Sequence, residues 1–347
     1  MSIVCRLIRD DEAPAAMRVW AKCFPEDSGA FIRYYFEKRT SPSAVLAAFD
    51  GPDMIGALHM LDCSAWFFGM PRRVGFVAGV GTIPEARGRG VGAKMLRASF
   101  SIMRGRGFEA TILQPSSPGL FHFYRNTGYE TLSSAVRLER GFDPQAPRAR
   151  LIDPSPASML SAFEAFTEGY DGVILRTEQD FALLLEEAKI TNCPIYASET
   201  AYALGERAED RLELTEIAGS GVMELVNAIA EAERKTVAFQ LPADHELSKG
   251  MAAEPFDMLR ILDVEAFLTG IPARDGRYRI AIEDADLAEN TGTYEFFAEG
   301  GRVMSCERVD GPANERMDIG ALAGNIGGTL PGRFALRGKP CFGMKHY

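Results

Sequence analysis

Between Ile83 and Met95 the chain reads IPEARGRGVGAKM, setting Arg87, Gly88, Arg89, Gly90, Val91, Gly92 and Ala93 between an apolar run and an amphipathic one. A strand, a glycine–arginine turn and a helix in that order suit a pyrophosphate. Consecutive backbone N–H groups at a helix N-terminus form an anion site, and the helix dipole strengthens it. Glycines let the main chain come close and take conformations a side chain would forbid. Arg87 and Arg89 can add charge-assisted contacts to phosphate oxygens. A plain strand–helix connection is the alternative reading of such a turn. It is not a Walker A loop, because no Gly-Lys-Ser/Thr follows, and it is not the dinucleotide G-x-G-x-x-G.

About 30 residues further on lies SPGLFHFYRNTGYE, residues 117 to 130. Tyr124 within it is either a core tyrosine or a phenol placed to donate a proton. Composition bounds what these residues serve. The 347-residue chain, 46% hydrophobic and 25% charged, suggests two or three domains. Its net charge of −10 argues against nonspecific binding to nucleic acid or an anionic membrane and mildly favours cationic partners. The six cysteines show no C-x-x-C and no regular spacing, so neither a metal site nor a disulfide framework is expected. The start lacks the apolar run of a secretory signal, and no stretch approaches about 18 consecutive apolar residues. The chain reads as cytoplasmic, with no membrane partner.

The elements that position the turn follow from periodicity. An amphipathic helix with Met17, Trp20, Ala21 and Phe24 on one face follows the strand IVCRLI, with Asp residues expected to cap it. A second helix ends before Ser41-Pro42. Strands follow over AVLAAFD, MIGALHMLDCSAWFF and RRVGFVAGVGTI, then the turn and its helix, the strand EATILQPS, and a short helix ending at Gly128. Residues 138 to 156, rich in charge and proline, read as a linker. The order of elements then repeats without residue identity. From about Gly250 the pattern changes: a helix over FDMLRILDVEAFLTGI, three strands, and a helix over MDIGALAGNIGG.

Arg87-x-x-Gly90-x-Gly92 after a strand, with Tyr124 and Gly128-Tyr129 behind it, resembles the acetyl-CoA signature of the GNAT superfamily of N-acetyltransferases. Ser117 stands where many members have Asn, a departure from the pattern. The resemblance implies that main chain at Val80, Gly81 and Thr82 meets the pantetheine arm and that Gly88 to Ala93 hold the pyrophosphate. It puts Ser116 and Ser117 beside the cofactor, and Tyr124 as the acid that protonates the departing CoA thiolate. Gly79 and Gly81 either permit a bulge and splay in the strand or allow a helix to pack closely.

One motif-bearing domain, one similar domain without the motif and a small α+β tail resemble the Eis (enhanced intracellular survival) acetyltransferases. The implied fold class is α/β (α+β). Its layout is a catalytic GNAT domain over 1–140, a second GNAT-like domain over 141–250, and a sterol-carrier-protein-like domain over 251–347. In that family the C-terminal carboxylate, here that of Tyr347, enters the first active site as base; a frayed terminus is the alternative. The implied reaction is direct transfer from acetyl-CoA, with no metal, to a primary amine of an aminoglycoside, a polyamine or a lysine. Phe24, Glu26 and Asp27 are candidate pocket residues. His59 and His122 read as structural; His346 reads as solvated and is the rival base to the carboxylate. Self-association, as far as a hexamer, rests on the resemblance alone. An acyl-CoA-sensing or lipid-binding protein without turnover is the competing function.

Overall fold

The computed structural model describes residues 3–326. Their contacts form two units, 3–133 together with 255–326, and 134–254. The first unit begins with β1 (Val4–Leu7), α1 (Ala13–Cys23), α2 (Gly29–Lys38), β2 (Val45–Asp50), β3 (Asp53–Phe67) and β4 (Met70–Thr82). It continues with α3 (Val91–Gly105), β5 (Ala110–Leu113), α4 (Pro118–Arg125) and β6 (Glu130–Thr131). The buried residues of α1 are Ala16, Val19 and Trp20; of the expected face, Met17 and Phe24 pack half-buried in the cluster of Trp20, whereas Ala21 is exposed. No aspartate caps this helix: its N-cap is Glu12, whose carboxylate instead binds Arg6. Ser28 caps α2 through Phe31 N–H, and α2 ends at Lys38, ahead of Pro42 as expected. In α3 the buried residues Val91, Met95, Leu96, Ser99, Phe100 and Met103 recur at helical spacing and lay the helix against the sheet.

The second unit contains β7 (Ser134–Arg140), α5 (Pro156–Thr167), β8 (Val173–Ile174), α6 (Glu178–Thr191), β9 (Ile195–Ala197) and β10 (Ala201–Arg207). It is completed by β11 (Arg211–Gly219), α7 (Val222–Glu233) and β12 (Thr236–Pro242), and the chain leaves through β13 (Glu254–Pro255). Its sheet runs β7-β12-β11-β10-β9. The expected linker therefore starts too early, because Leu138, Glu139 and Arg140 pair with β12. Charge alternating with apolar residues in VRLER hid a strand that exposes one face.

From Met258 the chain returns to the first unit as β14 (Met258–Ile261), followed by α8 (Val264–Leu268), β15 (Gly276–Glu283), β16 (Gly292–Glu299), β17 (Arg302–Val309), β18 (Glu315–Asp318) and α9 (Ile319–Ile326). The expected helix over residues 256–271 is thus wrong at its start. β14 lies between β5 and β6, antiparallel to both, so the first unit's sheet runs β1-β2-β3-β4-β5-β14-β6. Met258, Leu259, Arg260 and Ile261 are all fully buried, and a strand covered on both faces shows no alternation to read. A second sheet, β17-β16-β15-β18, carries the rest of this segment.

Arg260 is tolerated in that central strand because its guanidinium forms a two-pronged pair with Asp284 at 2.8 and 3.1 Å and lies 4.0 Å over the Phe100 ring. Asp284 also accepts from the backbone N–H groups of Asp286 and Leu287. Removing one partner strands a buried charge. Arg260→Leu is expected to destabilise the protein by about 3–5 kcal/mol, read as a lower urea midpoint; an unchanged midpoint would show the pair to be dispensable.

Candidate active site

The site is built where β4 leaves β5. The two strands pair in parallel only from Val74–Ala110 to Phe76–Ile112, whereas β4 runs on to Thr82 bonded to β3 alone. Between Ala78, opposite His59, and Gly81, opposite Ala57, β4 carries one extra residue, and Gly79 takes φ +56° there. A bulge of this kind bends its strand away from its neighbour. A Cβ on Gly79 would stand 2.6 Å from the Trp20 ring, and one on Gly81 would stand 2.9 Å from Cys23. The glycines serve both readings: they make the bulge, and they let α1 lie directly on it.

Beyond Thr82 the turn is open. Gly88 (φ +76°) and Gly90 (φ +72°) are left-handed, and a Cβ on either would meet nothing within 4 Å. Gly90 is the N-cap of α3 and offers no side chain. The N–H groups of Val91, Gly92 and Ala93 are therefore uncapped donors at a helix N-terminus. Such a turn fits a diphosphate. The arginines are less free than expected: Arg87 Nε donates to the Thr82 carbonyl at 3.2 Å, and Arg89 pairs with Asp50 at 2.7 Å. Both are exposed, and Arg89 holds the Asp50 carboxyl below its usual range.

The corresponding turn of the second unit is shut. A Cβ on Gly219 would run into the Thr200 carbonyl, one on Gly221 would stand 2.8 Å from Thr200 Oγ1, and Ser220 N–H donates to Thr200 O at 3.1 Å.

Tyr124 is 7% exposed and belongs to one apolar cluster with Val91 and Tyr129, against which Val80 and Phe123 pack. Ser117 is the N-cap of α4 but makes no capping hydrogen bond through its side chain; it and Ser116 are exposed. Phe24 lines a cleft with Trp20, Cys23, His59, Gly79 and Gly81. Asp27 joins them by accepting from Trp20 Nε1 at 2.7 Å, whereas Glu26 is exposed and not part of the lining. Trp20 was legible only as a helix-face residue; its spacing of four from Phe24 was the available signal. Tyr347 and His346 lie outside the described residues.

His59 is 1% exposed and ringed by Trp20, Tyr35 and Phe36 at 5.0 to 5.3 Å between centroids. Burial pulls its pKa down to about 3, so the imidazole is neutral. The folded state then refuses a proton that the unfolded chain accepts below about 6.5. Stability is expected to fall from pH 6.5 toward 3, and His59→Phe to flatten that fall by up to about 1.4 kcal/mol per pH unit. Urea midpoints at pH 8 and pH 5 for both proteins would measure it; identical slopes would remove His59 as the cause. Among the described residues no group of acidic, His and Cys side chains could hold a metal ion, and no helix is long and apolar enough to cross a membrane.

Residues 4–132 match the family model of the acetyltransferase (GNAT) domain. No curated protein matches the sequence. Over 93% of this chain and 89% of the other, the fold is similar to a probable N-acyltransferase of Enterococcus faecalis at 15% identity and a TM-score of 0.76. Eis1 of Mycobacterium abscessus is similar over 100% of both chains at 16% identity, with a TM-score of 0.72. A GCN5-related N-acetyltransferase of Kribbella flavida is similar over 94% of this chain and 89% of its own, at 19% identity and a TM-score of 0.69. At these identities the structures speak for the fold, and the family model speaks for residues 4–132, which match an acetyltransferase domain of the GNAT type.

Proposed function

We propose that the protein moves an acetyl group from acetyl-CoA directly to a primary amine of a cationic acceptor such as an aminoglycoside, a polyamine or a lysine side chain. The observation that carries this reading is the continuous path from a strand that leaves its neighbour at Phe76 to a turn whose glycines face open space. Val80, Gly81 and Thr82 offer main chain to the pantetheine arm. Gly88 to Ala93 receive the pyrophosphate, with Arg89 free to exchange Asp50 for phosphate and Arg87 beside it. Ser116 and Ser117, at the head of α4, flank the cofactor.

In the reaction the amine nitrogen attacks the thioester carbonyl, the N–C bond forms and the C–S bond breaks. Tyr124 gives its hydroxyl proton to the departing thiolate, and the proton lost by the amine passes to the α-carboxylate of Tyr347. Phe24 and Asp27 line the acceptor side beside Trp20. The domains expected over 1–140 and 141–250 are read as one working and one structural copy, in line with the shut turn at Gly219. Residues 276–326 form the sheet and helix we read as the sterol-carrier-like part, and we place the protein in the cytoplasm as a homo-oligomer, as far as a hexamer.

The test is thiol release from acetyl-CoA with spermidine, kanamycin and a lysine peptide, with the product identified by mass. Tyr124→Phe should lower kcat at least about tenfold with acetyl-CoA affinity kept; unchanged kcat removes Tyr124 from the chemistry. Gly90→Val should raise the acetyl-CoA Kd about tenfold or more by straining a left-handed residue and covering the turn. Full affinity in that variant would move the diphosphate elsewhere. Deleting Tyr347 should also lower kcat, and full activity without it ends the carboxylate's role.

A further inference from the structure

Gln114 is the residue immediately after β5, at the mouth of the gap that opens once β4 and β5 part at Phe76 and Ile112. Its amide oxygen is buried and has no hydrogen-bond partner among the described residues. A buried acceptor without a donor is costly, and at the end of β5, where the strands have parted, an incoming donor would satisfy it.

Alternation along β5 sets the side from which that donor comes. Thr111 bonds the Tyr129 hydroxyl at 3.1 Å and Leu113 packs in the cluster of Tyr124 and Tyr129, both on the α3 face. Ala110, Ile112 and, continuing the register, Gln114 belong to the opposite face. That face also carries α1, whose Trp20 sits against Gly79. The diphosphate turn heads α3, on the other side. A donor that meets Gln114 therefore approaches with the acetyl acceptor and not with the phosphates.

We propose that Gln114 is a positioning residue for the acceptor, its amide oxygen taking a hydrogen bond from the N–H of the attacking primary amine. This rests on the acetyltransferase reading above. A carboxamide suits the task chemically. A carboxylate there would stabilise the ammonium form and hold back the lone pair, whereas a neutral oxygen orients the amine without raising its pKa.

The experiment uses the full chain, acetyl-CoA and whichever of spermidine, kanamycin or a lysine peptide the wild-type protein acetylates fastest. Gln114→Leu should raise the KM for that amine about threefold to tenfold, leave the KM for acetyl-CoA unchanged, and keep or raise Tm, since it deletes an unsatisfied buried group. Gln114→Asn should recover part of the loss. Gln114→Glu should shift the rise of kcat/KM to higher pH. A lower Tm with all kinetic constants intact would make Gln114 structural and overturn the proposal. A raised KM for acetyl-CoA alone would assign the oxygen to the pantetheine arm, overturning it as well. A wild-type protein that acetylates none of the three amines sinks the underlying reading instead, before any variant is compared.

Discussion

The seating of Trp20 on Gly79 is the contact from which the working end of the first unit is set out. Its ring occupies the space a Cβ on Gly79 would need, which only a glycine at φ +56° can yield. The same ring meets Phe24, Tyr35, Phe36 and His59 and donates to Asp27. One side chain therefore fixes α1, α2, β3 and the loop between the helices against a single bulge. Aromatic pairs of this kind add about 0.5–1.5 kcal/mol each beyond the area they bury. Their geometry matters more here, because the bulge decides where β4 turns from β5 and thus where the cleft opens.

The other end of the same sheet is closed by residues far away in sequence. β14 supplies the strand between β5 and β6, and three arginines secure the segment behind it. Arg72 reaches the carbonyls of Ala266 and Thr269, Arg97 pairs with Asp286 at 2.6 Å, and Arg104 pairs with Asp263 at 3.3 Å. Exposed pairs contribute little, but Arg72 is 5% exposed and Arg260 is fully buried, so the anchors that count are the desolvated ones. Strand pairing this distant in sequence slows folding. The acetyltransferase fold of this chain is therefore discontinuous, and residues 4–132 lack a strand of their own sheet.

That discontinuity marks the limit of what the sequence discloses. Turn, helix and strand around Gly90 were legible because each obeys a local rule: glycines where φ is positive, apolar residues every third or fourth position, proline where α2 has ended. The bulge was legible from Gly79 and Gly81, although not that Trp20 fills the space they leave. β14 was not, since MLRI buried on both faces carries no period and its arginine imitates the polar face of a helix. Gln114 could be seen only as a polar residue ending an apolar strand. Its lone buried oxygen is a property of the packed chain.

The second unit shares the order of strands and helices with the first but not its open turn. It keeps the parting of strands: β11 pairs with β12 in parallel only from Arg211 to Glu213 and then runs on to Gly219. On β11 Glu216 accepts from Arg176 at 2.6 and 2.8 Å, with Tyr202 bonded to the same carboxylate, and Phe163 and Phe181 flank the guanidinium. Arg176 and Glu216 have side chains only 4% and 5% exposed, a pair that is expensive to open. At the first unit's turn the charges are Arg89 and Asp50, 43% and 28% exposed, a pair in water that contributes little. The Arg89–Asp50 pair is open to solvent, whereas the Arg176–Glu216 pair is shielded from it. The two units thus differ in whether these charges are left in water or sealed against each other, which the shared order of strands and helices does not decide.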